Sequence, residues 1–203
     1  MFLKKKIILL VVFCLTIISL FFYKNYNEKN HTEIGGDFEL TNHLGQKITN
    51  NSFNGYFRLV FFGFTNCPDF CPNTLNNIGL VVEQIEKKDK LVPIFISVDP
   101  ERDTVEKLEK YLTNFNPKII ALTGTKEQIS IVKKKYKIFS KKVMDMKKES
   151  TNSDKHHDGH DHGGYNVDHT TIIYLMNEKG KYIYHFSADT SNDVMVDKIN
   201  KYL

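Results

Sequence analysis

Residues 58–72 read RLVFFGFTNCPDFCP, and this stretch indicates the fold of the domain that carries it. Its first part, Arg58–Phe64, is a nearly continuous apolar run, which is typical of a parallel strand buried on both faces. The residues that follow it, Pro72–Lys88, place apolar side chains at helical spacing and predict a helix. Cys67 and Cys71 are therefore expected at a junction between a buried strand and a helix.

Strands and helices continue to alternate downstream of this junction. The predicted elements are a small hairpin over Phe38–Leu40 and Gln46–Thr49, the strand and helix just described, a strand over Leu91–Val98, a helix over Thr104–Asn114, a strand over Ile119–Leu122, a helix over Thr125–Tyr136, paired strands over His169–Met176 and Lys181–Phe186, and a closing helix over Thr190–Leu203. Asp103 is expected to cap the second helix, with Glu106 three residues on. This order predicts the α/β class, with a mixed sheet covered by helices on both faces, and it fits a thioredoxin-like domain.

The composition is that of an ordinary globular protein, with 203 residues, 41% hydrophobic and 26% charged. It excludes a disordered, collagen-like or disulfide-framework protein. The net charge of +4 comes from four lysines within residues 1–24, so residues 25–203 are neutral overall. A neutral domain with only two arginines, Arg58 and Arg102, lacks the cationic surface that nucleic acids require, and we exclude a nucleic-acid partner.

Residues 7–23 form an uncharged apolar stretch near the start of the chain. A helix over this stretch would be roughly 26 Å long, which suffices for the hydrocarbon core of a bilayer. Lysines at 4–6 favour an N-terminus in the cytoplasm, and bulky residues at 21–23 disfavour a cleaved signal peptide. We predict a cytoplasmic N-terminus (1–6), a single-pass transmembrane anchor (7–23), a tether (24–34) and an exported thioredoxin-like domain (35–203).

Cys67 and Cys71 are the two cysteines of the exported part, since Cys14 lies within the predicted anchor. An exported compartment is oxidising and permits disulfides. Their C-x-x-x-C spacing lets both sulfurs reach one metal ion or each other, and a helix N-terminus lowers the pKa of a thiol. The pair is a candidate metal-chelating or redox dithiol, with a structural disulfide as the alternative.

Two further segments are expected near the dithiol. The loop 97–104 (SVDPERDT) follows the next parallel strand, and neighbouring strand ends line one crevice. Taken alone, these residues are better explained by a turn at Pro100, a helix cap at Asp103 and a local pair of Arg102. His169 begins a predicted strand whose entering loop faces the dithiol in a thioredoxin-like sheet. Two sulfurs and one imidazole suit Cu(I) first, then Cu(II) or zinc, and Asp168 is a candidate partner of the imidazole in the second coordination shell.

A biased segment precedes His169 within a predicted insert loop over residues 150–166. It contains four of the eight histidines of the chain, which are His156, His157, His160 and His162. Neutral imidazoles in such a tract bind transition metals without needing a fold. The run is either an accessory metal site that loads His169 and the dithiol, or a solvated insert without a role.

Three motifs together identify a family. The segments FFGFTNCPDFCP (61–72), SVDPERDT (97–104) and VDHTTIIYL (167–175), in this order behind one anchor, resemble the SCO/SenC family of copper chaperones. The resemblance implies a thioredoxin-like fold and copper bound by Cys67, Cys71 and His169. It also implies delivery of copper to the binuclear copper A site of cytochrome c oxidase subunit II. Asp69, Asp99 and Asp103 match acidic positions of the family motifs.

Two functions compete for the same dithiol. The first is a membrane-anchored copper chaperone without catalytic turnover; the second is a thiol–disulfide oxidoreductase that reduces the cysteines of subunit II before they receive copper. His169 favours the chaperone, because a reductase has no need of an imidazole there. We expect the inner membrane, with the domain in a bacterial periplasm, or in the mitochondrial intermembrane space of a eukaryote. Whether the domain forms a homodimer stays open.

Overall fold

A computed structural model describes residues 15–19, 34–144 and 165–203 of the chain. The chain divides into two units, Met1–Glu33 and Ile34–Leu203. In the first unit residues 15–19 are helical, and the rest of the predicted anchor over 7–23 lies outside the described residues. Among the residues described, no helix combines the length and apolar character needed to cross a bilayer.

The second unit is a mixed α/β domain. Its strands are β1 (Glu39–Asn42), β2 (Lys47–Thr49), β3 (Phe57–Gly63), β4 (Leu91–Ser97), β5 (Ile120–Thr123), β6 (Ser140–Met144), β7 (Tyr165–His169), β8 (Ile172–Met176) and β9 (Tyr182–Ser187). Its helices are α1 (Phe70–Gln84), α2 (Val105–Leu112), α3 (Lys126–Lys135) and α4 (Asn192–Asn200), with short 3-10 turns at Asn50–Phe53 and Lys88–Lys90.

Seven strands form one sheet in the order β2-β1-β5-β4-β3-β8-β9. The three central strands β3, β4 and β5 run parallel, and the outer strands pair antiparallel to their neighbours. The crossovers through α1 and α2 step in the same direction along the sheet, and their right-handedness places both helices on one face. The side chain of Asn116, just beyond α2, donates to the carbonyl of Gly79 in α1 at 3.3 Å, in agreement with this placement.

Burial in the core explains why most residues of the central strands are apolar. Phe61 and Phe62 of β3 and Phe95 of β4 are fully buried, and the rings of Phe61 and Phe95 lie 6.1 Å apart. Helix α1 covers the face that carries Phe61 and Phe95 with a stripe that includes Leu75 and Ile78, whereas Phe62 points to the opposite face, where its ring lies 5.2 Å from that of Tyr136. Each such side chain contributes about 1.5–3 kcal/mol on burial. The predicted mixed α/β, thioredoxin-like class is confirmed.

The structure corrects one predicted helix start and explains another. Thr104, not Asp103, is the N-cap of α2, and its hydroxyl accepts a hydrogen bond from the backbone N–H of Lys107 at 3.3 Å. Asp103 is instead buried, with its carboxylate bonded elsewhere. Helix α1 starts at Phe70, which puts Pro72 in the first turn, where a missing N–H costs no helical hydrogen bond.

A second sheet was not predicted. Strands β6 and β7 form a two-stranded antiparallel ribbon, with Ser140 opposite His169 and Met144 opposite Tyr165. The predicted strand over His169–Met176 therefore joins the last residue of β7 to the whole of β8, and these two strands belong to different sheets. The predicted insert over residues 150–166 also extends too far, because its last two residues lie in β7.

Candidate metal centre

The dithiol lies at the connection between the end of β3 and the first turn of α1. Cys71 is the second residue of the helix and is fully buried, whereas Cys67 in the preceding loop is half-buried. Both are free thiols, and the backbone N–H of Cys71 donates to the sulfur of Cys67 at 3.4 Å. The strand-to-helix junction therefore points the two sulfurs into one small region.

The two thiols differ strongly in acidity. A hydrogen bond from the Cys71 side chain lowers the pKa of Cys67 to about 5, and backbone N–H groups of the first helical turn act in the same direction, against the effect of burial. The same side-chain hydrogen bond, together with burial, raises the pKa of Cys71 well above its usual range. At neutral pH, Cys67 is the thiolate and Cys71 the thiol that donates to it.

The imidazole of His169 meets this pair from the end of β7. Its Nε2 lies 3.6 Å from Sγ of Cys71, and its Nδ1 lies 3.0 Å from the carbonyl oxygen of Thr170. We assign the proton to Nδ1, since a carbonyl oxygen only accepts, which leaves the Nε2 lone pair directed at the sulfur. The rings of Phe61 and Phe64 contact the imidazole edge-on, at centroid distances of 6.3 and 5.8 Å.

The position of His169 depends on contacts along the β6–β7 ribbon. The hydroxyl of Tyr165, at the other end of β7, donates to Asp99 at 2.8 Å. The Arg102 guanidinium stacks 3.8 Å above the Tyr165 ring, donates to the Tyr165 carbonyl at 3.0 Å and also pairs with Asp99. The loop after β4 therefore holds the ribbon that carries His169.

Asp103 fixes the loop that carries the cysteines. Its carboxylate accepts from the Thr65 backbone N–H at 3.1 Å, from the Thr65 hydroxyl at 2.5 Å and from the Ser97 hydroxyl at 2.6 Å. Its own carbonyl accepts from Thr123 at 2.9 Å, which links the ends of β3, β4 and β5. Burial raises the pKa of Asp103, although the bonds to Ser97 and Thr65 oppose that shift.

The predicted residues thus meet in part. Cys67, Cys71 and His169 lie close together. The side chain of Asp168, which was predicted to contact the imidazole, is exposed instead, and the imidazole contacts the carbonyl of Thr170. The histidine run over 156–162 lies outside the described residues. Within the described ranges, no group of three or more His, Cys, Asp and Glu side chains is already close enough to hold a metal ion, so ligation requires side-chain rotation.

Sequence reasoning missed the residues that support the site. Tyr165 and Arg102 lock the ribbon, and Phe64 packs against the imidazole. The location of loop 97–104 was predictable, because a loop that follows a parallel strand next to β3 is expected near the dithiol. Nothing in the local pattern around Tyr165 indicated a strand that reaches back to this loop.

A buried sheet, a free dithiol at a strand-to-helix junction and an adjacent imidazole define a thioredoxin-like domain with a dithiol–imidazole centre. Residues 26–203 match the SCO1/SenC family, and the chain belongs to this family.

Individual relatives agree with this assignment. A SCO2-like protein of Rickettsia prowazekii is 41% identical over 160 residues, which cover 78% of this chain and 72% of the relative. A human protein named SCO1 homolog, mitochondrial, is 37% identical over 159 residues, which cover 77% of this chain and 48% of that protein. The structure of Bradyrhizobium japonicum ScoI with copper bound superposes with a TM-score of 0.70 at 37% identity, covering 84% of this chain and 99% of that one.

Proposed function

We propose that this chain is a membrane-anchored copper chaperone that binds copper through Cys67, Cys71 and His169. One observation carries the proposal: the imidazole Nε2 of His169 lies 3.6 Å from the sulfur of Cys71, across 98 residues of sequence, beside a second thiol. Two thiolates and an imidazole are soft to borderline donors, which suit Cu(I) better than harder ions. The similar Bradyrhizobium japonicum ScoI, whose structure has copper bound, supports copper as the ion.

Copper is the cargo in this proposal, and the two thiols receive it differently. Cys67 is already a thiolate at neutral pH and makes the first bond, since its pKa is lowered to about 5. The Cys71 thiol then loses its proton to solvent as its sulfur binds the ion. Rotation of the His169 ring closes the third bond, and the carbonyl of Thr170 holds the opposite nitrogen.

Delivery proceeds by ligand exchange with the cysteines and histidines of the acceptor, which we propose is the copper A site of cytochrome c oxidase subunit II. Residues 7–23 would anchor the protein in the inner membrane, with the domain in the periplasm, or in the intermembrane space of a mitochondrion. Shared residence in one membrane raises the encounter frequency of donor and acceptor.

Anaerobic copper titration of the reduced full-length chain in detergent tests this proposal. We expect one tightly bound Cu(I) per chain, lost in the double variant Cys67→Ser, Cys71→Ser and weakened about 10- to 100-fold in His169→Ala. The matched control is His185→Ala, which removes an exposed histidine of β9. A deletion of residues 156–162 completes the set.

The deletion distinguishes the two candidate sites. Retention of the tight copper in the deletion variant, with loss in the cysteine variant, supports the dithiol–imidazole centre and leaves the histidine run as an accessory. Loss in the deletion variant combined with full binding in the cysteine variant would overturn the proposal.

The acid–base asymmetry of the dithiol favours a second candidate function. A thiolate at Cys67 beside a buried thiol at Cys71 is the arrangement of a pair that attacks a disulfide and then resolves the mixed disulfide. A thiol–disulfide oxidoreductase would reduce the acceptor's cysteines before metallation. Reduction of a disulfide-bonded acceptor peptide should survive His169→Ala and vanish in Cys67→Ser. Absence of reduction by the wild-type dithiol would remove this candidate.

A further inference from the structure

The strand β9 forms one edge of the main sheet, and no strand of the described residues pairs with its outer side. An unpaired strand edge is a template for another strand, and proteins commonly protect it with charged residues, proline or a very short strand. The opposite edge, β2, is protected in this way, since it is three residues long and carries Lys47 in a salt bridge with Glu39. By contrast, residues 182–187 of β9 read YIYHFS, without lysine, proline or an acidic residue.

The hydrogen bonds between β8 and β9 determine which backbone groups of β9 face outward. The backbone N–H of Ala188 donates to the carbonyl of Thr171 at 3.2 Å, and the register of the pair is regular over this part of β9. Because residues of an antiparallel pair alternate between bonding to the neighbour and pointing away from it, His185 and Ser187 direct their backbone groups to the open edge. The carbonyl of Ser187 accepts from the N–H of Thr190 at 3.0 Å. The N–H of Ser187 and both backbone groups of His185 are therefore open to an added strand.

A groove of about 360 Å³ lies beside this edge, between β9 and α4. Both faces of the strand contribute to its wall, with Tyr184 and Phe186 on one face and His185 and Ser187 on the other. The rings of Tyr184 and Phe186 lie 5.1 Å apart. Val194 of α4 also lines the groove and exposes 56% of its surface. The groove thus offers apolar surface next to the open backbone groups.

The groove also contains a positive charge. The ammonium of Lys198 lies 4.5 Å from the centre of the Tyr184 ring and forms no ion pair with any residue in the described part of the chain. Asp197, which lines the groove as well, is paired with Lys201 at 2.6 Å. The charge that is left over complements a carboxylate. Since β9 contains no acidic residue, this charge does not favour a second copy of the chain paired through β9 as the occupant.

We propose that β9 and α4 bind an extended segment of a partner protein that carries apolar side chains and an acidic one on the same face. The backbone of the segment pairs with His185 and Ser187 and extends the sheet by one strand. Its apolar side chains pack on Tyr184 and Val194, and its carboxylate pairs with Lys198. Because side chains alternate along a strand, the recognised pattern places the apolar and acidic residues at every second position. The inference does not depend on the copper-binding function proposed above.

Two fluorescent peptides with blocked ends, TVTVTE and ETVTVT, present this pattern in both chain directions. Fluorescence anisotropy with the full-length chain in detergent measures their binding. N-methylation of alternate peptide residues identifies strand pairing, because only one of the two alternating sets of N–H groups faces β9. We expect one methylated set to weaken the better-bound peptide about tenfold or more, and the other set to leave its affinity unchanged.

Variants of the groove test the side-chain contacts. Val194→Glu and Lys198→Glu should each weaken the bound peptide about tenfold or more, because each places an acid next to the acid of the peptide. The matched controls are Leu44→Glu, at a similarly exposed apolar residue in the turn before β2, and Lys110→Glu on α2. Neither control should change the affinity. Far-UV circular dichroism verifies that all four variants fold.

Each outcome decides the inference. Absence of binding by both peptides, or equal effects of the two methylated sets, would overturn it. Unchanged affinity in Lys198→Glu, or an equal loss in Lys110→Glu, would overturn it as well. A concentration-dependent dimer in sedimentation that Val194→Glu abolishes and neither peptide disrupts would assign the edge to a second copy and overturn the inference. Failure of the chain to bind copper would overturn only the proposed function.

Discussion

Cys67 and Cys71 are four residues apart, yet their environments give them opposite protonation states. Cys67 sits in a loop where hydrogen bonds stabilise its charge, and Cys71 is buried at the start of a helix. The difference arises from position relative to α1 and not from residue type. Such a pair suits a site that binds and releases a soft ion, because one sulfur is deprotonated before the ion arrives and the other loses its proton only on binding.

The lowered pKa of Cys67 predicts its reactivity. Because only the thiolate is a nucleophile, alkylation of Cys67 by iodoacetamide should rise with pH through a midpoint near 5 and level off by pH 7. Cys71→Ala removes the main stabilising hydrogen bond and should move the midpoint upward. Mass spectrometry of pulse-labelled protein measures both profiles. A wild-type midpoint near pH 8–9, the range of an ordinary thiol, would contradict this account.

Ser97 tests how the buried carboxylate of Asp103 is held. Its hydroxyl donates to Asp103 at 2.6 Å and accepts from the Asp99 backbone N–H at 3.1 Å. Ser97→Ala should lower the free energy of unfolding by about 1.5–3 kcal/mol at pH 7, as expected for a bond to a charged group.

The pH dependence of the Ser97→Ala effect follows from the raised pKa of Asp103. As pH falls through that pKa the carboxylate becomes neutral, and the loss caused by Ser97→Ala should shrink. Urea denaturation at pH 7 and pH 4 measures the difference, with the exposed Ser187→Ala as control. An effect that is equal at both values would show that Asp103 does not change its protonation between pH 7 and pH 4.

The β3–α1 segment could be predicted from sequence, whereas the β6–β7 ribbon could not. The apolar run of β3 and the helical spacing of α1 are local patterns that burial imposes directly. Residues 140–144 read SKKVM, two of the five charged, and their partner strand is reached only after 20 further residues. A polar ribbon stabilised by Tyr165 and Arg102 leaves no periodic signal, and His169 was located by fold topology and family resemblance.

The anchoring of this ribbon can be tested at Tyr165. Tyr165→Phe removes the hydrogen bond to Asp99 at 2.8 Å and keeps the ring beneath the Arg102 guanidinium. We expect the fold to survive and copper affinity to fall about tenfold, because groups that orient a metal ligand typically contribute that much. Competition with a copper chelator measures the affinity, and Tyr184→Phe on β9 serves as control. Equal affinities in both variants would show that the ribbon needs no such anchor.

The turn between β8 and β9 supports the buried Arg58 at the start of β3. Gly180 adopts φ +73, and a Cβ there would lie 2.0 Å from Nη1 of Arg58, which bonds to Asn50 at 2.7 Å. Gly180→Ala should lower the free energy of unfolding by about 2–4 kcal/mol, from backbone strain plus displacement of the guanidinium.

Gly45→Ala is the matched control for Gly180→Ala. Gly45 has nearly the same φ, +76, but nothing lies within 4 Å of its Cβ position, so this variant should lose only about 1 kcal/mol. Thermal unfolding of the two variants distinguishes the cost of the contact with Arg58, present only at Gly180, from the cost of backbone strain, present at both glycines. Equal losses would mean that Arg58 moves aside without cost.

At the scale of the whole molecule, the absence of net charge beyond residue 24 bears on how an acceptor is found. Long-range steering requires a field, and residues 25–203 carry equal numbers of acidic and basic side chains. The rate of association with the proposed acceptor domain should therefore change less than about twofold between 20 and 200 mM salt. Stopped-flow copper transfer at several ionic strengths measures it. A tenfold decrease with salt would reveal local charge complementarity that the net charge conceals.

The three proposed ligands come from distant parts of the chain, since Cys71 at the start of α1 and His169 at the end of β7 are separated by 98 positions. A polypeptide emerging from synthesis or export carries the cysteines early, but it lacks the imidazole until β7 has formed and docked on the loop after β4. The complete set of donors thus exists only in a finished domain. Under the proposed function, tight copper binding is then restricted to folded copies, because truncated or misfolded copies lack at least one of the three ligands.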